Sequence, residues 1–384
     1  MINTGEIERV FSKNFEERNE LGASLSVWKD GEEIVSLHRG WQDRDKTREW
    51  DTHTMAPVWS STKGPAAIAT LMALHEAKIG IDSQVGKIWP ELPAARGTGL
   101  TFAQLLSHQS GLPALSPDNR STILSHPGVC SAFEQQEPFW VPGTGHGYHP
   151  RTIGFLVDEV VRRVSSGTSL GKFWNEKIAK PLGIDFRIGG LSADDVDRTA
   201  TIYPPKIQRP PKDEVPFYRA LAQPDSLAQG AFSSPGGMRA LSDINKLEYL
   251  QAGLPALGGV GSARGLAKFY SILANDGIRD GVRVFPKSVV DAARTKQTDG
   301  EDLVLAIPTA FTAGFMLDPV DERGDKWRRL FGASRSTFGQ PGAGGSHAFA
   351  DPENGIAFAY TMNQMESGVL PNRKSLDLVD AVYC

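Results

Sequence analysis

Cysteine is nearly absent from this chain: two in 384 residues, Cys130 and Cys384. Two thiols make neither a disulfide framework nor a four-thiolate zinc site. Both read as free, Cys130 in a loop-like stretch and Cys384 as the last residue. No run of about 18 apolar residues occurs, so no helical membrane span is expected. No basic stripe stands out in a chain of net charge −4, which argues against a nucleic-acid partner. The first ten residues lack the basic start, apolar stretch and small-residue cleavage site of a secretory signal, so a cytoplasmic location is expected. No His-x-x-x-His or comparable metal spacing is evident, and no internal repeat. What remains is ordinary for a globular protein, 40% apolar and 22% charged, with ample length for a sizeable core.

Apolar positions at Ile7, Val10, Phe11 and Phe15 predict an amphipathic helix over residues 5–20. Ala23, Leu25 and Val27 alternate with serines, and a second extended run, 33–38, follows the turn Lys29-Asp30-Gly31. This reads as a hairpin. Residues 60–78 form a helix that is apolar nearly all round and hence buried, with Gly80 as its stop. Between about 100 and 250, helices at 101–106 (capped by Thr101), 151–164 and 169–180 are separated by long loops. The prolines of 203–216 exclude regular structure there. A helix at 263–276, strands at 309–317, 345–350 and 355–363, and a last helix at 375–383 complete the chain. The expected class is α+β, with a sheet built from both chain ends and a helical region between.

Ser60 and Lys63 stand three apart at the start of the buried helix, which puts both side chains on one face. A serine hydroxyl needs a base close by, and a lysine becomes one when burial lowers its pKa. Ser60 also sits in the first turn, where the helix dipole favours developing negative charge. Alone the pattern is weak, since a capping serine followed by a solvated lysine looks the same. A lysine opening an apolar helix is costly to bury without a task, and that tips the reading. Ser169 is a rival. Gly167-Thr168-Ser169-Leu170-Gly171 matches a Gly-x-Ser-x-Gly elbow, and Lys172 completes a second Ser-x-x-Lys. That elbow needs a strand before it. Residues 152–164 have helical spacing instead, so Gly167 reads as a stop and Ser169 as an N-cap.

Four segments then occur in order: Ser60-Ser61-Thr62-Lys63, Leu105 to Leu112 (LLSHQSGL), Pro142 to His149 (PGTGHGYH) and Phe338 to Gly345 (FGQPGAGG). With them the chain, from about residue 20 to 365, resembles the class C β-lactamase and penicillin-binding-protein superfamily, and most of all its family VIII carboxylesterases. The resemblance implies a class C β-lactamase-like fold. Residues 1–95 and 255–384 would form a discontinuous α/β sandwich, 96–254 a mainly helical domain, with the active site between. It implies Ser60 as acylated nucleophile, Lys63 as its activating partner and Tyr148 as a second proton-transfer group. The oxyanion hole would be the N–H groups of Ser60 and Ala343. Gln340 and Gly342 would stand on the substrate-binding strand, the glycines at 342, 344 and 345 letting substrate approach. His108 would be a scaffold histidine rather than a triad member.

Two departures bear on the substrate. Pro150 replaces the Asn of the family's Tyr-x-Asn motif, and Gln340 replaces the Lys of Lys-Thr-Gly. A glutamine donates a hydrogen bond but carries no charge toward a substrate carboxylate. The expectation is a cofactor-free, metal-free carboxylesterase acting on small neutral esters, with short acyl chains implied by the resemblance. β-Lactam or amide hydrolysis, acyl transfer, and a non-catalytic binding or sensor module on the same scaffold are the alternatives. Trp59, Phe139, Trp140 and Tyr218 are as readily core as pocket lining.

Overall fold

The computed structural model describes residues 2–119, 121–206 and 210–384. Eight strands form one antiparallel sheet. In spatial order they are Glu32–Gly40, Gly22–Lys29, Ile356–Met362, His347–Asp351, Phe338–Pro341, Met316–Leu317, Pro308–Phe311 and Thr298–Glu301. The N-terminal hairpin turns at Asp30 and Gly31, whose φ values of 51° and 89° suit the twist of a two-residue hairpin turn. Its first strand then pairs with the last strand of the chain, Ala23 opposite Met362 and Lys29 opposite Ile356. The sheet is therefore built from both ends of the chain, as expected, and the class is α+β.

The two faces of the central strands differ in side-chain size. Ile356, Phe358, Tyr360 and Met362 point into one core with Ile7, Val10 and Phe11 of the helix Thr4–Glu17 and Leu378 and Val379 of Arg373–Val382. Ala348, Ala350, Ala357 and Ala359 point into the other, against Leu266, Phe269 and Tyr270 of the helix Ala263–Ala274. Period-2 alternation of large and small residues lets this second helix lie close on the strands.

The buried helix runs Lys63–Glu76 and packs on Thr152–Val164. It ends on Ala77, and the left-handed residue behind it is Lys78, φ 59°, rather than Gly80. A three-stranded sheet, Ala56–Pro57, Gly259–Gly261 and Phe186–Ile188, anchors the chain just before Ser60. It joins Phe186–Ile188 to segments that precede and follow it in the chain.

Several elements differ from expectation. Cys130 lies in a helix, His126–Gln135, not a loop. Residues 169–180 divide into Leu170–Phe173, a π-helical stretch Trp174–Ala179 and Lys180–Leu182. Of the stretch 203–216, residues 207–209 lie outside the described residues; Lys212–Glu214 is a 3-10 turn and a helix starts at Val215. Pro216 sits in that helix's first turn, where a missing N–H costs nothing. The run 309–317 is two short strands, Pro308–Phe311 and Met316–Leu317, parted by a tight turn in which the Gly314 N–H bonds the Thr312 carbonyl at 2.8 Å. Among the described residues no helix is long and apolar enough to cross a membrane.

Candidate active site

Ser60 does not open an α-helix directly. Ser60–Thr62 is a 3-10 turn entered from Trp59 at φ 50°, ψ −130°. A bulky residue in that region is strained by about 1–3 kcal/mol. The surroundings hold it there. The Val58 N–H bonds the Gly259 carbonyl at 3.0 Å, and the Thr62 hydroxyl donates to the Trp59 carbonyl at 2.5 Å while accepting from the Gly259 N–H at 2.8 Å. The turn leaves Ser60 half-exposed between buried neighbours.

Lys63 is 5% exposed. Its Nζ donates to the Ser60 Oγ at 3.1 Å, the Pro150 carbonyl at 3.0 Å and the Ala256 carbonyl at 2.8 Å. It also lies 4.9 Å from the Tyr148 ring centroid. Behind it is a cavity of about 20 Å³, walled largely by Ala66, Ala67, Leu106, Ile153 and Val157. Among the described residues Lys63 has no carboxylate partner, and burial pushes its pKa well below the usual lysine value. The buried amine is directed at a serine hydroxyl.

Tyr148 approaches from the third side. Its hydroxyl accepts from the Gln340 Nε2 at 3.3 Å. Burial raises its pKa, opposed by hydrogen bonding to Ser60 and Gln340. Its ring stacks on Phe311, centroids 6.2 Å apart and planes 9° apart. Its backbone N–H is held by both carboxylate oxygens of Asp302 at 3.0 and 3.1 Å. Asp302 is buried, and it also accepts from the N–H groups of Val304 and Leu305 and from the Thr309 hydroxyl. Sequence reading missed this residue. It lies 154 positions from Tyr148 and carries no motif.

The strand Phe338–Pro341 lies against the turn Ser60–Thr62. The Ser61 Oγ donates to the Gln340 carbonyl at 2.9 Å. A Cβ at Gly342 would stand 2.1 Å from the Val58 carbonyl. The absence of a side chain at Gly342 thus lets the Val58 backbone lie close against this strand. Gly344 and Gly345 have φ of 85° and 136° and form the turn to the next strand. Ala343 is half-buried, and among the described residues its N–H has no hydrogen-bond partner.

His108, at φ 65°, packs on Tyr148 and accepts from the His149 N–H through Nδ1 at 3.2 Å. The His149 Nδ1 donates to the Gly147 carbonyl at 2.5 Å, so its Nε2 accepts from the Ser110 hydroxyl at 2.8 Å. Burial pushes the His149 pKa down to about 3. Both rings are neutral supports of the Tyr148 loop, and neither hydrogen-bonds Ser60. His146 bonds Thr309 and Thr298 instead. Ser169 caps its helix by accepting from the Lys172 N–H at 3.3 Å, and the Lys172 side chain is 63% exposed. That environment supplies no base. Trp59 is buried, Phe139 is 47% exposed, Trp140 stands edge-on to His149, and Tyr218 packs on Phe217. The cysteines are free. Among the described residues one group of metal-type ligands occurs, His126, Cys130 and Glu159, and it includes none of Ser60, Lys63 or Tyr148.

Comparison with known proteins places the chain in a family. The Beta-lactamase family model matches residues 7–381. A curated relative, the esterase/beta-lactamase LipL of Mycobacterium tuberculosis, is 30% identical over 366 residues, covering 94% of this chain and 81% of its own length. Among solved structures, a penicillin-binding protein homolog from Caulobacter crescentus superposes with TM-score 0.84 at 30% identity, over 99% of this chain and 96% of that one. A family VIII carboxylesterase superposes with TM-score 0.83 at 29% identity, over the same shares. The chain therefore belongs to the beta-lactamase family and is a serine hydrolase of that superfamily.

Proposed function

We propose that this hydrolase is a cytoplasmic, cofactor-free carboxylesterase working through an acyl-enzyme on Ser60. The observation that carries the proposal is the 3.1 Å contact from a buried lysine without a counter-ion to the Ser60 hydroxyl. Lys63 and Tyr148 are shifted in opposite directions by the same burial. An amine that prefers to be neutral takes a proton, and a phenol that prefers to be neutral holds one.

The Ser60 Oγ attacks the ester carbonyl carbon while its proton passes to Lys63. The N–H groups of Ser60 and Ala343 take the oxyanion. The C–O bond to the alcohol breaks as Tyr148 protonates the leaving alkoxide, and the Lys63 ammonium returns its proton to the phenolate. Water then attacks the acyl carbon, again losing a proton to Lys63. The carboxylic acid departs and the Ser60 hydroxyl is restored. Ser60, Lys63 and Gln340 come from the segments 1–95 and 255–384, and Tyr148 from 96–254. We place the site between these two parts.

Gln340 decides the substrate class. It is 1% exposed and spends its amide on Tyr148, and it offers no charge. Neutral esters with short acyl chains fit better than substrates bearing a carboxylate. Amide and β-lactam cleavage or acyl transfer would use the same groups. A non-catalytic module would have no reason to keep Lys63 buried against Ser60.

The test is Ser60→Ala beside the wild type. Fluorophosphonate treatment followed by peptide mass spectrometry is expected to place one adduct on the Ser60 peptide, and the variant is expected to hydrolyse none of a panel of short p-nitrophenyl esters. An adduct on Ser169 would overturn the nucleophile. Turnover of a chromogenic cephalosporin matching that of the esters would overturn the substrate class.

A further inference from the structure

A second group of reactive side chains takes no part in the ester chemistry. His126 and Cys130 stand four apart on the helix His126–Gln135, so both face the same way. Glu159 reaches them from Thr152–Val164. The three ligand atoms lie within 4.8 Å of one another. The Cys130 Sγ is 3.4 Å from the His126 Nε2 and 3.8 Å from the Glu159 Oε2, and those two atoms are 2.9 Å apart.

A tetrahedral zinc ion with bonds of ~2.0–2.3 Å sets N, S and O ligand atoms about 3.4–3.6 Å apart. The sulfur–His126 edge already fits. The sulfur–Glu159 edge has to close by about 0.2 Å and the His126–Glu159 edge to open by about half an ångström on the same geometry. We propose that His126, Cys130 and Glu159 form a binding site for one zinc-type divalent cation, separate from the esterase centre.

The outer partners are those a metal site needs. The other imidazole nitrogen, Nδ1, meets the Asp158 carboxylate at 3.1 Å, which fixes the ring and makes Nε2 the ligand nitrogen. Asp158 is itself held by the Leu170 N–H at 2.6 Å and by Arg162 at 3.1 Å. The second oxygen of Glu159 is held by Arg163 at 2.7 Å, leaving the first for the cation. Binding releases the Cys130 thiol proton and the His126 Nε2 proton to solvent, and thiolate, carboxylate and neutral imidazole then balance a 2+ ion. Their mixed softness suits zinc and excludes magnesium or calcium, which take all-oxygen sets. The His126 and Glu159 side chains are 19% and 17% exposed, so a fourth position is open to water. A bound ion would pin the helix His126–Gln135 to the helix that begins two residues after Pro150, whose carbonyl holds Lys63. Its expected effect is on stability.

The test uses untagged, chelator-treated full-length protein titrated with Co²⁺ and then Zn²⁺. The expected result is one Co²⁺ per chain with a thiolate-to-cobalt charge-transfer band, displaced by Zn²⁺, and a higher melting temperature with Zn²⁺ than with chelator. Cys130→Ser is expected to abolish the band and Glu159→Gln to weaken binding at least tenfold. Cys384→Ser, a change at the exposed thiol, should leave both intact. Wild-type protein that takes up no stoichiometric metal would overturn the site and leave the cluster as an ion pair between His126 and two carboxylates. A band that disappears with Cys384→Ser would overturn it equally. Ester hydrolysis by the metal-free protein is expected to persist, so this outcome is independent of the esterase reading.

Discussion

Lys63→Met is the substitution that separates a catalytic amine from a structural one. Methionine keeps the length and packing of the side chain and removes the base. Three acceptors lose a donor: the Ser60 Oγ and the carbonyls of Pro150 and Ala256. Each stranded carbonyl costs about 1–3 kcal/mol. The variant is also spared the burial of an amine, which is why Lys63 is shifted downward in the first place. These opposing contributions leave a net stability change of about 2 kcal/mol or less. Catalysis has no such compensation. Loss of a positioned base lowers kcat by about 10²–10⁴, or ~3–5 kcal/mol of barrier.

The pH behaviour fixes the sign. Lysine is depressed in the folded chain, so between that lowered pKa and the ~10.4 of a free lysine the unfolded chain binds a proton the folded one does not. In that window the Lys63 contribution to stability improves as pH rises. Activity rises lower on the pH scale, as pH passes the lowered pKa of the folded amine and Lys63 becomes neutral, and is level across that window. In Lys63→Met both dependences should vanish. The assay is kcat/KM on a short p-nitrophenyl ester across pH, with fluorophosphonate labelling rates and urea unfolding on the same samples. A folded variant that labels within tenfold of the wild type, or keeps the wild-type rise of activity with pH, would refute Lys63 as the base.

Asp302→Asn removes a carboxylate that fixes the Tyr148 backbone; kcat should fall about tenfold with KM little changed, and stability by about 1–3 kcal/mol, read from steady-state kinetics and denaturant midpoints. Gln340→Lys puts a cation beside Tyr148 and is expected to raise the ratio of kcat/KM for a carboxylate-bearing cephalosporin over a neutral ester by tenfold or more; an unchanged ratio would separate Gln340 from substrate choice. His347 is fully buried with neither ring nitrogen bonded among the described residues, and burial holds its pKa at about 3. Because the unfolded ring protonates near ~6.5 and the folded one does not, stability is lost as pH falls from there at ~1.4 kcal/mol per unit. His347→Met should therefore be neutral or slightly stabilising at pH 7.5 and about 3 kcal/mol better than wild type at pH 4.5; equal acid sensitivity in urea titrations would contradict this.

What was legible in the sequence tracks how local each interaction is. Ser60 and Lys63 meet within one turn, so a four-residue pattern and an apolar helix suffice to pair them. The alternation of large residues and alanines in Ile356–Met362 likewise reports two covered faces. The features that set the chemistry are not local. The acceptors of Lys63 lie 87 and 193 residues away, and the carboxylate behind Tyr148 lies 154 away. Gly342 lies against the Val58 carbonyl, a neighbour that a glycine's identity does not name. His126 and Cys130 show the boundary case. Their i, i+4 spacing passed unread in the sequence, because it gains meaning only when a second helix brings up Glu159. A motif can thus pair Ser60 with Lys63, while the opposite pKa shifts of Lys63 and Tyr148 belong to burial that only the folded chain creates. The rival Ser169 makes the same point from the other side. It satisfies two patterns at once, yet its lysine stands in solvent, its side chain 63% exposed.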